Sequence, residues 1–204
     1  METICRYLDV SLLQDETLFQ HWFDALPWDS RREKIRSYKF ENGKRLSLGA
    51  GIVLAETLRD FGVTDTRLRI EESGRPLLES GELFFSLSHS GTMAVCAASQ
   101  NPIGVDVEEV REIRAEPLMR FLHEEEQEMI QAAEDRNFAF LKIWTRNESF
   151  GKRSGEGIGR SLKEESLVSL HPSDSVFFQE FLADGHLITV CSQGEPVKFV
   201  RTEP

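Results

Sequence analysis

The run IGVDVEEV, residues 103–110, places Asp106 and Glu108 two positions apart between apolar neighbours. In a β-strand, residues i and i+2 share a face, so the two carboxylates stand side by side with Val105 and Val107 on the opposite face. Like charges held that close repel, and their burial is costly unless something positive lies between them. A second pair, Glu148 and Lys152 in FLKIWTRNESFGK, lies one helical turn apart and so on one helix face. On its own that pair also reads as a surface ion pair of ~0.3–0.5 kcal/mol. The Trp144, Phe150 and Phe138–Phe140 neighbourhood makes much of the helix apolar, and buried charges need partners. Asp106, Glu108 and Glu148 together offer three hard oxygen donors, suited to Mg²⁺, which usually shares its shell with water and substrate phosphate. No His or Cys accompanies them, which argues against zinc.

A phosphate ligand needs cations. Arg31 and Lys34 lie one turn apart in SRREKIR, Arg45 follows, and Arg75 stands in SGRP. SLSHSG presents Ser88, His89 and Ser90, read here as a polar break whose turn amides form an anion-binding nest. Each has a plainer reading: a solvated helix face for Arg31 and Lys34, a turn charge for Arg75, a strand cap for His89. Gly155, Gly157 and Gly159 in GEGIGR lack the GK[ST] ending of a phosphate loop and read as a turn after a helix.

The elements that must carry these groups alternate between α and β. ICRYLDV reads as an edge strand. RREKIRSYKF and RLSLGAGIVLAETLRDFG read as helices, the second stopped at Gly62. TRLRIEE, LFFSLSHSG, TMAVCAAS and the Asp106 run read as strands. EPLMRFLHEEEQEMIQAA reads as one helix, and NFAFLKIWTRNESFGKRSG as another. VFFQEFLA and HLITVCSQ form a hairpin turning at Asp184–Gly185. The strands GTMAVCAAS and GHLITVCSQ echo each other, and a long helix precedes a strand pair in each half. The chain therefore reads as α+β with two similar halves, 1–103 and 104–204, and a cleft at their junction.

Composition bounds the function. The 204 residues are 40% hydrophobic, enough for a substantial core, and the net charge of −11 opposes nucleic-acid binding. Cys5, Cys96 and Cys191 form no CxxC pair, as expected of buried thiols in a reducing cytoplasm. No run approaches the ~18 apolar residues of a membrane span, and the start, METICRYLDV, lacks the basic and apolar regions of a signal peptide.

The ordered motifs GRP, FSLSHSG, IGVDVE, FLHEEE and WTRNESFGK resemble those of the Sfp-type 4′-phosphopantetheinyl transferases over nearly the whole chain. The resemblance implies a pseudo-dimeric α/β fold with the active site between its halves. It implies transfer of phosphopantetheine from coenzyme A to a serine of an apo acyl or peptidyl carrier protein, with release of 3′,5′-ADP. On matched positions, Asp106, Glu108 and Glu148 would hold Mg²⁺ or Mn²⁺, and Glu148 would serve as base, directly or through water. Lys152 would offset charge on the transferring phosphate or leaving group, and Ser88 and His89 would touch the nucleotide phosphates. Arg31, Lys34, Arg45 and Arg75 would grip the 3′-phosphate region by looser matching. The pseudo-dimeric reading also implies a monomer, and the cysteine pattern a cytoplasmic one.

Asn147 stands where this family usually has lysine. That departure predicts weaker substrate or carrier contact with the metal site kept, and leaves a second reading: a coenzyme A- or carrier-binding homologue with weak or lost transfer. A Mg²⁺ nuclease conflicts with the charge. The carrier is expected to dock on the segment after the metal motif, where Arg111, Arg114 and Arg120 alternate with acids and Met119, Phe121 and Leu122 offer an apolar strip. Phe121 and Leu122 also read as core residues of an amphipathic helix.

Overall fold

The computed structural model describes residues 2–72, 74–155, 166–168 and 175–203. The chain opens with β1 (Thr3–Asp9), a 3-10 turn (Val10–Gln14) and helices α1 (Glu16–Ala25), α2 (Asp29–Ser37) and α3 (Glu41–Asp60). A small hairpin, β2 (Leu68–Ile70) and β3 (Pro76–Leu78), leads to β4 (Phe84–Ser90), β5 (Met93–Ser99) and β6 (Gly104–Glu109). Then come α4 (Glu116–Met119), α5 (Glu124–Ala132), α6 (Arg136–Ser154), β7 (Phe177–Ala183), β8 (His186–Ser192) and β9 (Val197–Arg201).

Two main sheets form, one ordered β4-β5-β1-β9 and one ordered β6-β8-β7. All their pairings are antiparallel except β1 with β9. β1 therefore lies inside its sheet, not at the edge expected from ICRYLDV. The sequence reading missed β9, whose pairing supplies β1's second neighbour. By that pairing the C-terminal strand joins the sheet built by the first part of the chain.

Strand alternation makes the layers. Leu8, Ala94, Cys96 and Ala98 pack with α3 residues Leu48, Ile52 and Leu58 on one side of the first sheet. Cys5, Val95 and Ala97 face the other way and meet Val105, Val107, Ile188 and Val190 of the second sheet. α6 covers the remaining face of that second sheet, so the order is helix, sheet, sheet, helix. Every residue of β5 and β8 is buried, as required of strands covered on both faces. Full burial of each large apolar side chain contributes ~1.5–3 kcal/mol.

The stretch read as one helix over 116–133 is two. His123 breaks it by accepting from the Glu125 amide, while Glu126 reaches back to the His123 amide as a capping box that restarts the helix at Glu124. The hairpin at Asp184–Gly185 forms as expected, with φ of 47° and 73°. Gly155 ends α6 in the left-handed region at φ 80°, while Gly157 and Gly159 lie outside the described residues.

Candidate active site

α6 carries two of the reactive groups and sits unusually close to β6. Asp135 caps its first turn by accepting from the Phe138 amide. A Cβ built on Gly104 of β6 would lie 1.8 Å from the Ser149 carbonyl oxygen, so only glycine permits this approach. Thr145 and Thr189 share a hydroxyl hydrogen bond of 2.7 Å between α6 and β8. The close contact lets Lys152 cross to the strand: its Nζ lies 2.7 Å from Asp106 Oδ1 and 2.9 Å from Ser88 Oγ. Lys152 thus pairs with Asp106 rather than forming the surface pair with Glu148 that the helical spacing also allowed.

β6 presents Asp106 and Glu108 on one face, with Val105 and Val107 in the inter-sheet core, as the alternation predicts. Asp106 is 4% exposed. Burial pushes its pKa up, while Lys152 and the Ser88 hydroxyl pull it back. Its second oxygen, Oδ2, is buried and has no hydrogen-bond partner. Burial raises the Glu108 pKa as well, opposed by a 2.8 Å hydrogen bond from Ser90 Oγ. Glu148 is pushed to about 7, first by desolvation and then by the Asp106 and Glu108 charges, with Lys152 opposing.

A cavity of about 410 Å³ collects these groups. Asp106, Glu108, Glu148 and Lys152 line it together with Arg31, Lys34 and His89. Arg31 reaches it across α3, where a Cβ on Gly51 would stand 2.9 Å from the Arg31 side chain. Arg31 also donates to the Ser47 carbonyl, and burial lowers its pKa. His89 sits at the open mouth, where desolvation and then the Lys152, Lys34 and Arg31 charges lower its pKa, so the ring is neutral at pH 7. Ser88 lines the cavity, but its hydroxyl is engaged by Asp106 and Lys152.

Two smaller hollows adjoin. One of about 300 Å³ is lined by Trp28, Arg31, Lys34, Ile70 and Pro76, and one of about 280 Å³ by Arg75, Pro76, Phe85 and Lys152. Arg75 therefore lies beside the cavity wall, and Arg45, half-buried near the start of α3, lines none of the three. The turn-amide nest expected at Ser88–Ser90 does not form: these residues are strand, paired with Val95, Ala94 and Met93. The reading missed Trp28 and Pro76 as cavity walls; neither carries a charge or spacing signal.

Asn147 lies on α6 beside Glu148. It is buried and turned from the cavity, its amide donating to Glu126 Oε1 at 3.1 Å and to the Ile143 carbonyl at 3.0 Å. Substrate or carrier contact by Asn147 is thus excluded in this arrangement. Leu122 is core beside Ile130 and Phe140, whereas Phe121 is 43% exposed with Arg120 stacked over its ring.

The donor chemistry fits a hard divalent cation: all-oxygen groups, mutually repelling, with one orphaned buried carboxylate oxygen at Asp106. The cage is not pre-assembled. Among the described residues no three acidic, His or Cys side chains converge as a metal site, and Lys152 supplies the positive charge at Asp106.

The model of the 4′-phosphopantetheinyl transferase superfamily matches residues 102–199, which span β6 to β9. The chain is 29% identical over 185 residues to 4′-phosphopantetheinyl transferase Sfp of Bacillus subtilis, covering 88% of this chain and 80% of that protein. It is 31% identical over 182 residues to 4′-phosphopantetheinyl transferase HetI of Nostoc sp., covering 83% and 76% respectively. It is 28% identical over 147 residues to 4′-phosphopantetheinyl transferase gsp of Aneurinibacillus migulanus, covering 68% and 62%. With the Asp106, Glu148 and Lys152 constellation inside the matched region, the chain belongs to the 4′-phosphopantetheinyl transferase superfamily, as a transferase of the Sfp type.

Proposed function

We propose that this enzyme transfers 4′-phosphopantetheine from coenzyme A to a serine of an apo acyl or peptidyl carrier protein, with Mg²⁺ bound, and releases 3′,5′-ADP. One observation carries the proposal: acidic Asp106, Glu108 and Glu148 line the same cavity as Lys152, Arg31, Lys34 and His89. The carboxylates suit a cation, and the basic groups suit a phosphorylated nucleotide.

Asp106 through its free Oδ2, Glu108 and Glu148 would hold the metal. When bound, the cation supplies charge neutralisation on the diphosphate oxygens. Arg31 and Lys34 hold the remaining nucleotide phosphate, with Arg75 at the adjoining hollow and neutral His89 as a hydrogen-bonding partner. Glu148 takes the proton from the carrier serine hydroxyl, directly or through water. The serine oxygen bonds to the pantetheine-bearing phosphorus as the bond to the ADP oxygen breaks. Lys152 swings from Asp106 to offset charge on the transferring group or leaving oxygen.

The two-half reading is supported by strand order. β1, α3, β4 and β5 lay down a sheet ordered β1-β5-β4, and β6, α6, β7 and β8 lay down one ordered β6-β8-β7. Each unit is a strand, a long helix and a hairpin whose second strand takes the middle place. A pseudo-dimer of this kind acts as a monomer, with the cavity between its units. We place it in the cytoplasm on its free, buried cysteines. No helix among the described residues is long and apolar enough to cross a membrane. Carrier docking beside the site rests on exposed Phe121 and the neighbouring arginines. The alternative, a coenzyme A- or carrier-binding homologue with weak or lost transfer, drew on Asn147 in place of the usual lysine; the Asp106, Glu108, Glu148 and Lys152 set around one cavity supports the transferase instead.

Mass spectrometry of an apo carrier incubated with this protein, coenzyme A and Mg²⁺ tests the proposal. A gain of one phosphopantetheine is expected, abolished by EDTA and restored by Mg²⁺ or Mn²⁺. An unmodified carrier, or full activity after metal removal, would contradict it.

A further inference from the structure

β6 is the outer strand of its sheet and β4 the outer strand of the other, and among the described residues no backbone pairing joins them. Exposed strand edges leave amides that need acceptors. In β4, Ser86, Ser88 and Ser90 share one face by the two-residue repeat, while Phe85 and Leu87 pack beneath α3 on the other. The three serines point at β6. Ser86 Oγ accepts from the Val105 amide at 3.1 Å. Ser88 Oγ donates to Asp106 Oδ1 at 2.8 Å and accepts from Lys152 Nζ at 2.9 Å. Ser90 Oγ donates to Glu108 Oε2 at 2.8 Å and accepts from the Glu109 amide at 3.4 Å.

A serine hydroxyl has one hydrogen to give and two lone pairs to accept with. Ser88 and Ser90 each spend that hydrogen on a carboxylate, the stronger kind of hydrogen bond. Each holds one carboxylate oxygen, and at Asp106 the other, Oδ2, is left buried without a hydrogen-bond partner.

We infer that Ser90, with Ser88 beside it, is a positioning residue: the alternate hydroxyls of β4 replace the missing strand pairing and aim the β6 carboxylates into the cavity. The inference rests on the metal reading proposed above. Ser90 touches neither substrate nor metal in this account; it acts through Glu108. Ser90 carries the test because Ser88 also contacts Lys152, and a change there would disturb two groups.

The test is calorimetric titration of Mn²⁺ into the full chain as wild type, Ser90→Ala and Ser90→Thr, with coenzyme A titrated separately in EDTA. Ser90→Ala should weaken Mn²⁺ binding roughly tenfold, the scale seen when a hydrogen-bond partner of a metal ligand is removed. Ser90→Thr, which keeps the hydroxyl, should stay within about threefold of wild type, and coenzyme A affinity should not move in either. Wild-type Mn²⁺ affinity in Ser90→Ala, or a parallel loss of coenzyme A binding, would overturn the inference. If wild type takes up no Mn²⁺, the metal reading fails by itself, and transfer kinetics then decide the serine. A fall in kcat for Ser90→Ala that Ser90→Thr restores upholds positioning, and unchanged kcat overturns it.

Discussion

Asp106 and Glu126 are both buried carboxylates contacted from α6, yet they are satisfied in opposite ways. Glu126, 0% exposed, accepts from three neutral amide groups: the Asn147 side chain and the backbone of Leu167 and His123. It fastens α5, α6 and the 166–168 segment together, and it lines none of the cavities around the site. Asp106 instead takes an ammonium and a hydroxyl on one oxygen and leaves the other buried without a hydrogen-bond partner. A buried acid surrounded by neutral donors is a fastening. A buried acid with an ion-pair partner and an unused oxygen, lining a cavity, is the candidate for chemistry.

The largest effects should fall on activity at the cavity. Asp106→Asn, Glu148→Gln and Lys152→Ala should each lower kcat by at least ~10²-fold, the scale for losing an acid–base or charge-stabilising group. Circular dichroism should show all three folded, and coenzyme A affinity in Lys152→Ala should change far less than kcat. Near-normal kcat in all three would erase the contrast with Glu126.

The next effect belongs to stability. Glu126→Ala leaves the buried Asn147 and Leu167 donors without this acceptor, with the His123 amide part-buried, and should cost on the order of 2–3 kcal/mol, since each unsatisfied buried group costs ~1–3 kcal/mol. Urea unfolding reads this as a lower midpoint, and a midpoint equal to wild type would show that the fastening is dispensable. Glu126→Gln keeps an acceptor and should lose much less.

A pH series sharpens the comparison further. Glu148 titrates near 7 in the folded chain against an ordinary 4.5, so the folded state prefers its neutral form. In metal-free protein that preference stabilises the fold below about 4.5 and is lost as pH rises through about 7. Wild type should therefore lose stability between pH 5 and pH 8, and Glu148→Gln should lose less over the same interval. Asp106 and Glu108, also raised, keep part of the slope in the variant. Identical slopes would place the Glu148 carboxyl in open solvent.

The smallest expected effect is at Asn147, whose Oδ1 is buried without a partner. Asn147→Lys gives Glu126 a cation, making the fastening resemble the Asp106 pair. A gain of ~1 kcal/mol would raise Tm by roughly 2–4 °C, with activity within about twofold. A large change in activity would show that position 147 reaches the site after all.

Much of the site was legible because short-range periodicity decides it. The i, i+2 repeat placed Asp106 and Glu108 on one strand face, and one helical turn placed Glu148 with Lys152. The partner of Lys152 was not legible, because it depends on how closely α6 approaches β6, a distance set by Gly104 and Ser149 far apart in the chain. The partner of Asn147 was not legible for the same reason: Glu126 sits on another helix. Ser88 and Ser90 read as a polar break from sequence alone, since polar spacing does not separate a turn from the edge of a second sheet. The interior place of β1 depends on β9, and no local pattern reports a pairing between the two ends of a chain.

The most direct test sets the two carboxylates against each other in one assay. Wild type, Asp106→Asn and Glu126→Gln, matched for folded fraction, are incubated with coenzyme A, Mg²⁺ and an apo carrier, and the carrier is weighed by intact mass spectrometry over time. Wild type and Glu126→Gln should each add one phosphopantetheine at similar rates, and Asp106→Asn should leave the carrier unmodified over the same interval. Full modification by folded Asp106→Asn, or none by wild type, would contradict the assignment of this cavity as the site of transfer.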